Sequence, residues 1–124
     1  MPGELILVVE DNDNNRLLVR DVLQASGYHV VEATSAEDGL RMAAEQQPAL
    51  ILMDIQLPGL NGLEALQRLR GDPATRAIPV IAVTASAMTQ DRRQIMAAGF
   101  DGYQAKPISV KGFLRTVREM LPSR

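Results

Sequence analysis

The sequence predicts an α/β fold in which a doubly wound, five-stranded parallel sheet of order 2-1-3-4-5 lies between two layers of helices. Three observations favour this class. Short apolar runs alternate with segments of helical period, which is the pattern of βαβ units. Right-handed crossovers leave few topologies for such a sheet, and this order is the most economical at this size. The length of 124 residues suits one domain over residues 1–124 with one substantial core.

In the first third of the chain, the run Leu5–Val9 predicts a buried strand. A helix follows over Asn14–Ala25, and Gly27 stands where that helix should stop. A second, weaker strand is predicted over His29–Ala33. The helix is expected to place three residues on its apolar face: Leu18, Val22 and Ala25.

The second helix begins at a capping pattern, since Ser35 is followed three residues later by Asp38. Pro48 marks the break after it, and the apolar run Leu50–Met53 then predicts a third strand that ends at Asp54. The helix between them is expected to bury small and aliphatic side chains: Ala36, Leu40, Ala43 and Ala44.

In the second half, a helix over Gly62–Leu69 precedes the fourth strand, Val80–Val83, which ends in Thr84. A helix over Gln90–Ala98 and a short strand over Gly102–Ala105 follow. Ser109 is expected to cap the last helix. The buried stripe of that helix comprises Val110, Phe113, Leu114, Val117 and Leu121.

Composition limits the possible functions. Hydrophobic residues make up 46% and charged residues 23%, as in an ordinary globular protein. Aromatic residues are only 3% and the net charge is −2, which argue against a nucleic-acid partner. The absence of cysteine excludes thiolate chemistry and is compatible with the cytoplasm. No apolar run approaches a membrane span, so we expect no membrane partner.

Polar residues follow the apolar runs at the point where each strand ends. In the predicted strand order the first and third strands are neighbours, so Glu10, Asp11 and Asp54 should converge at one edge of the sheet. Thr84 and Lys106 should arrive there from the other side. The sequence therefore predicts an acidic pocket with one lysine and one hydroxyl group.

Clustered carboxylates repel one another, so this pocket predicts a bound hard cation, Mg²⁺ or Mn²⁺. The expected ligands are Asp11, Asp54 and the backbone carbonyl of Gln56, with Glu10 acting in the second shell or through water. Such a cation beside a strand-end Asp suits transfer of a phosphoryl group to that Asp.

In that reaction Asp54 would become an acyl phosphate. Lys106 would neutralise negative charge on the phosphoryl oxygens, because the transition state spreads charge over them. The Thr84 hydroxyl group and the Ala85 amide would each donate a hydrogen bond to one of these oxygens.

With these residues the chain resembles the receiver domains of two-component response regulators over essentially its whole length. The resemblance rests on five separated elements: Glu10-Asp11, the Asp54–Gly62 segment with Pro58, Thr84-Ala85, Tyr103, and Lys106-Pro107. The stretches Met53–Pro58 and Lys106–Val110 are similar to single-domain, CheY-like regulators of cell division. Similar stretches occur in receivers attached to hybrid kinases, so both a stand-alone receiver and a part of a larger protein fit the resemblance.

The resemblance implies a flavodoxin-like (CheY-like) three-layer sandwich and a phosphorelay function. It implies that Asp54 is the phosphoacceptor and Lys106 contacts the phosphoryl group, with a cis peptide between Lys106 and Pro107. Tyr103 would be the switch aromatic that turns inward as Thr84 moves toward the phosphate. A histidine kinase or histidine phosphotransfer protein would supply the phosphate, and the surface of the fourth helix, fifth strand and fifth helix would change its affinity for a downstream partner.

Three positions depart from the commonest pattern of the family: Glu10 replaces Asp, Asn61 replaces the frequent Asp, and Phe100 replaces a small residue. We expect Phe100 to alter the surface between the fourth helix and fifth strand. His29 lies away from the acidic edge and is predicted to be structural or solvated.

Two other functions use the same layout. A pseudo-receiver would keep the fold as a binding module without phosphorylation, which the intact acidic residues, Thr84 and Lys106 argue against. A phosphatase of the haloacid dehalogenase type also uses a strand-end Asp and Mg²⁺, but needs a second Asp as general acid where this chain has Gln56. We therefore expect a phosphoacceptor and not an enzyme.

Overall fold

One parallel sheet forms the centre of the molecule. The computed structural model describes residues 3–55, 62–84, 89–105 and 109–121. The strands lie in the order β2-β1-β3-β4-β5, and every neighbouring pair is parallel. Their bounds are β1 Leu5–Val9, β2 His29–Ala33, β3 Leu50–Asp54, β4 Val80–Thr84 and β5 Gly102–Ala105. The predicted fold class and strand order are confirmed.

Helices cover both faces of this sheet. Their bounds are α1 Asp13–Ala25, α2 Ala36–Gln46, α3 Gly62–Gly71, α4 Thr89–Ala97 and α5 Val110–Met120. One core cluster joins the sheet to α2, α3 and α4, through residues such as Ala43, Leu66 and Ile95. The other cluster joins it to α1 and α5, through Leu23 and Phe113. The molecule is thus a three-layer sandwich.

The central strands are apolar throughout because both of their faces are buried. In β3, Ile51 and Met53 belong to the cluster under α2, α3 and α4, whereas Leu50 and Leu52 belong to the opposite cluster. Residues of a strand point to alternate faces, so this division follows from the period of two. Asp54 is the first residue of β3 with a charged side chain, and it comes where the strand ends.

Three predicted helix faces were partly wrong. In α2, Ala44 is exposed although it was expected to be buried. Leu18 is 45% exposed, and α1 instead buries Val19 and Leu23, with Val22 packed beside them. Three consecutive aliphatic residues allow more than one apolar stripe, and contact with the sheet selects the one through Val19. In α5, Val110 is 46% exposed because it occupies the first helical position, beyond the reach of the core.

Two predicted helix caps and the predicted role of Phe100 can also be compared with the structure. Ser35 caps α2 as predicted, accepting a 3.1 Å hydrogen bond from the Asp38 amide. Ser109 occupies the N-cap of α5 but makes no capping hydrogen bond with its side chain. Phe100 is only 3% exposed and belongs to the core, so the predicted surface role was wrong.

Within the described ranges, none of the helices has the length and apolar character needed to span a membrane.

Candidate functional site

The candidate site lies where β1, β3 and β4 end, an edge we call the carboxyl edge and define by Glu10, Asp54 and Thr84. Val9 of β1 pairs with Met53 of β3, which places the next residues, Glu10 and Asp54, at the same level. Asp54 in turn pairs with Val83, one residue before Thr84. The strand register therefore brings these three side chains to one edge, as predicted.

Three carboxylates meet at the carboxyl edge. Glu10, Asp11 and Asp54 each offer an oxygen, and these oxygens lie within 4.8 Å of one another. Glu10 and Asp54 are buried, at 4% and 3% exposure, whereas Asp11 is exposed. Ligand oxygens around an octahedral Mg²⁺ are about 3 to 4 Å apart, since each bond is about 2.1 Å. The oxygens of the cluster are close to this spacing, so small shifts of the side chains would let them surround a small hard cation that is approached from the side of Asp11.

The loop that carries Glu10 and Asp11 is held by its own backbone contacts. The Glu10 amide donates to the Ala33 carbonyl of β2 at 3.0 Å, which extends the pairing of β1 and β2 by one residue. The Glu10 carboxylate accepts a hydrogen bond from the Asn12 amide at 3.2 Å. The Asn12 side chain then caps α1 by accepting from the Asn15 amide at 3.0 Å. The acidic residues thus sit in a constrained turn between β1 and α1.

Arg16, in the first turns of α1, contacts this loop, and the sequence did not predict that contact. Its guanidinium donates to the Glu10 carbonyl at 3.2 Å, to Glu32 at 3.2 Å and to Asp13 at 2.7 Å. The hydrogen bond to Asp13 and the two nearby carboxylates raise the pKa of Arg16, although burial opposes the rise. Arg16 is therefore a permanent cation that connects α1, β2 and the end of β1.

Gly62 is a second residue whose contact with the site was not predicted. A Cβ atom at this position would lie 2.7 Å from the backbone oxygen of Asp54 and 2.8 Å from Cα of Ile55. The Gly62 amide also donates to the Ile55 carbonyl at 3.1 Å. Glycine is required here because the start of α3 packs directly against the backbone that carries Asp54.

Thr84 and Tyr103 were predicted to form a switch. Thr84 is 2% exposed, and Tyr103 is half-buried against the cluster under α2, α3 and α4. Thr84 pairs with Ala105 and Tyr103 pairs with Ala82, so both belong to the same face of the sheet and are diagonal neighbours. The two residues are thus placed side by side, while their movement stays a prediction.

The other predicted site residues fall outside the described part of the chain. These are Gln56, Ala85, Lys106 and Pro107, together with Pro58 and Asn61 of the family pattern. His29 is exposed at the first position of β2, the end of that strand far from the acidic residues. It plays no part in the site.

The fold and the acidic strand ends together define a class of protein. A family model described as the response regulator receiver domain matches residues 6–118, and the chain belongs to that family. Receiver domains are the signalling modules that histidine kinases phosphorylate, so this chain is a receiver in two-component signalling. The resemblance predicted from the sequence is confirmed.

Among its relatives, the chain is 47% identical over 116 residues to the polar-differentiation response regulator DivK of Brucella ovis. The match covers 94% of both chains. The same similarity holds for DivK of Brucella abortus. The predicted similarity to single-domain regulators of cell division is therefore confirmed.

Solved structures agree with the fold. The receiver domain of a sensor histidine kinase from Pseudomonas aeruginosa, determined with a magnesium ion coordinated in its active site cleft, superposes with a TM-score of 0.90 at 35% identity. The superposition covers 98% of this chain and 99% of that one. The chemotaxis protein CheY4 of Vibrio cholerae matches with a TM-score of 0.89 over 96% of this chain, at 24% identity. That neighbour supports the CheY-like fold alone.

Proposed function

We propose that Asp54 is the residue of this receiver that accepts the phosphoryl group. The observation that carries the proposal is the grouping of its carboxylate with those of Glu10 and Asp11 within 4.8 Å. Asp54 is the member of the group at the centre of the sheet, since β3 lies between β1 and β4. An acceptor at that position is flanked by functional groups from both neighbouring strands.

The cluster fits Mg²⁺, which supplies positive charge for the phosphoryl oxygens when it is bound. We propose Asp11 and Asp54 as its carboxylate ligands and the backbone carbonyl of Gln56 as a third. Glu10 would then bind through water. The relative from Pseudomonas aeruginosa holds a magnesium ion in its cleft, and this supports the assignment by similarity.

Phosphorylation would begin with attack of an Asp54 carboxylate oxygen on the phosphorus of a phosphohistidine. A new O–P bond forms while the P–N bond of the donor breaks, and the electron pair of that bond stays on the imidazole nitrogen. Lys106 would hold negative charge on the phosphoryl group. Thr84 and the Ala85 amide would donate hydrogen bonds to its oxygens. The donor would be a histidine kinase or a histidine phosphotransfer protein.

We propose further that phosphorylation changes the surface formed by α4, β5 and α5. A phosphoryl group would attract the Thr84 hydroxyl group, and Tyr103 would fill the space that Thr84 leaves. The placement of these residues as diagonal neighbours on one face of the sheet supports this coupling. A downstream protein would read the altered surface, and the chain would act as a single receiver domain in the cytoplasm. It would assist only its own phosphorylation and dephosphorylation.

The test is formation of an acyl phosphate in the presence of acetyl phosphate, followed by intact-protein mass spectrometry. The wild type should gain the mass of one phosphoryl group when Mg²⁺ is present, and much less without it. Asp54→Asn should gain none, because an amide oxygen is a poor nucleophile and cannot form the same anhydride.

The matched control is Asp21→Asn, which removes one carboxylate from the exposed side of α1, where Asp21 pairs with Arg20. This variant should be phosphorylated like the wild type. Equal mass gain in Asp54→Asn and wild type would place the phosphate elsewhere. No gain in the wild type, either from acetyl phosphate or from a phosphorylated histidine phosphotransfer protein, would favour a pseudo-receiver.

A further inference from the structure

We infer that Arg16 is a positioning residue for the metal ligands, acting on the peptide group between Glu10 and Asp11. This inference rests on the proposed function of the acidic cluster. Arg16 donates a hydrogen bond to the Glu10 carbonyl oxygen at 3.2 Å. Among the described residues, its side-chain hydrogen bonds do not include the carboxylates of Glu10 and Asp11. The Glu10 carbonyl oxygen belongs to the peptide group that joins the two acidic residues.

A peptide group is planar and rigid, so fixing its oxygen constrains the Cα atoms on both sides. On one side is Glu10, whose amide is already fixed by the Ala33 carbonyl at 3.0 Å. On the other side is Asp11, whose side chain is exposed to solvent. The hydrogen bond from Arg16 therefore sets the direction in which the Asp11 side chain leaves the backbone.

Arg16 is itself well anchored. Its side chain is 14% exposed and is held between Asp13 of α1 and Glu32 of β2, at 2.7 and 3.2 Å. The Arg16 amide also donates to the Asn12 carbonyl at 2.9 Å. A planar guanidinium with five donors can serve three acceptors in fixed directions, which the ammonium group of lysine cannot reproduce.

The positive charge of Arg16 and the position of its hydrogen bonds would affect a bound cation in different ways. Asp13 and Glu32 lie closest to the guanidinium and balance its positive charge. Arg16 therefore contributes little net charge to the acidic cluster. Its effect on a bound cation should come from the placement of Asp11, so that a lysine with the same charge should not replace it fully.

Arg20 offers a matched control on the same helix. It contacts the same Glu32, at 3.8 Å, and pairs with Asp21 at 3.0 Å. Within the described part of the chain, its side-chain hydrogen bonds go to Asp21, and none goes to the Glu10–Asp11 turn. Replacement of Arg20 thus removes an arginine and a contact with Glu32 while leaving the peptide group of the metal ligands untouched.

The experiment is a titration of metal-free protein with Mg²⁺ by isothermal titration calorimetry, repeated with Mn²⁺ and electron paramagnetic resonance detection of free Mn²⁺. The proteins are wild type, Arg16→Met, Arg16→Lys and Arg20→Met. We expect Arg16→Met to bind Mg²⁺ about 10-fold more weakly, the usual effect of losing a group that orients a metal ligand. Arg16→Lys should fall between it and the wild type, and Arg20→Met should bind within about 2-fold of the wild type.

Thermal unfolding of the metal-free proteins separates this role from a structural one. A lower Tm in Arg16→Met with unchanged Mg²⁺ affinity would overturn the inference while the proposed function stands. Equal weakening in Arg20→Met would also overturn it, since a general loss of α1 packing would then be the cause. Failure of the wild type itself to bind Mg²⁺ would overturn the proposed metal site, and the inference with it. Should Arg16→Met not fold, the ranking of Arg16→Lys against Arg20→Met decides the outcome.

Discussion

The two edges of the sheet use charge in opposite ways. At the amino edge, which we define by the residues that begin β4 and β5, Arg70 of α3 forms a 2.7 Å ion pair with Asp101. The same carboxylate oxygen accepts from the Val80 amide at 2.8 Å. Arg70 also donates to the carbonyls of Ile78 and Gly99, at 2.8 and 3.2 Å. Opposite charges here join α3, β4 and β5.

At the carboxyl edge, like charges are brought together. Two of the three carboxylates are nearly buried, and their oxygens lie within 4.8 Å of a third. Like charges at this separation repel one another, and this repulsion has a cost in folding free energy. The amino edge therefore stabilises the fold, whereas the carboxyl edge keeps a charge arrangement suited to binding a cation and a phosphoryl group.

The largest loss of folding stability should come from the substitution Gly62→Ala at the carboxyl edge. The added methyl group would lie 2.7 Å from the Asp54 backbone oxygen, so either α3 or the end of β3 must move. We expect a loss of about 3 kcal/mol in the free energy of unfolding, the upper range for overpacking of a tightly packed site. Urea denaturation followed by circular dichroism measures it.

Gly71→Ala is the control at the other end of α3. A Cβ atom there meets nothing within 4 Å. Alanine also reduces the entropy of the unfolded chain, so this variant should be unchanged or up to about 1 kcal/mol more stable. Alanine is favoured over glycine inside a helix, so similar losses in both variants would mean that a general effect of substitution in α3, and not the contact with the Asp54 backbone, lowers the stability.

The second-largest loss of folding stability should come from a substitution at the amino edge. Arg70→Met keeps much of the aliphatic side chain but removes the hydrogen bonds to Asp101, Gly99 and Ile78. We expect a loss of about 2 kcal/mol in unfolding free energy, because hydrogen bonds to charged groups contribute about 1.5 to 3 kcal/mol. Mg²⁺ affinity should stay within about 2-fold, since the amino edge lies at the opposite ends of the strands.

Arg41→Met is the control for the loss of an arginine. Arg41 is 58% exposed, and its ion pairs with described residues lie along α2, with Asp38 at 3.3 Å and Glu45 at 3.4 Å. Exposed pairs of this kind contribute about 0 to 1 kcal/mol. An Arg70→Met variant no less stable than Arg41→Met would contradict the role assigned to the amino edge.

Most of the fold was predictable because a strand that is buried on both faces appears in the sequence as an unbroken apolar run. The bounds of β3 follow from an unbroken apolar run that ends at Asp54. The orientation of α1 was not predictable in the same way. Leu17, Leu18 and Val19 are adjacent aliphatic residues, and only packing against the sheet decides that Val19 is buried while the other two are exposed.

The acidic cluster was predictable because the strand order alone brings Glu10 and Asp54 to neighbouring positions. The contacts that support it were not. Arg16 binds a backbone carbonyl, and Gly62 approaches a backbone oxygen, and neither contact requires a particular side chain on its partner. Such contacts leave no periodic pattern in the sequence. The sequence signals for them are weak: a glycine eight residues after Asp54 and an arginine six residues after Glu10.

The smallest effect, and the one that separates the two edges by its sign, should come from Asp11→Asn. Removing one of three carboxylates that lie within 4.8 Å relieves repulsion of about 1 kcal/mol, using a high effective dielectric because Asp11 is exposed. The metal-free variant should therefore be more stable than the wild type, whereas loss of charge at the amino edge is destabilising.

Addition of Mg²⁺ should reverse this order. A ligand that binds only the folded state stabilises it by about 2.7 kcal/mol at one hundred times its Kd, and the variant lacks a carboxylate for that binding. Tm measured without and with Mg²⁺ tests both expected differences from the wild type, and Asp21→Asn is a control of equal net charge. A metal-free Asp11→Asn less stable than Asp21→Asn would show that the acidic cluster is already neutralised within the protein, which would remove the contrast between the two edges.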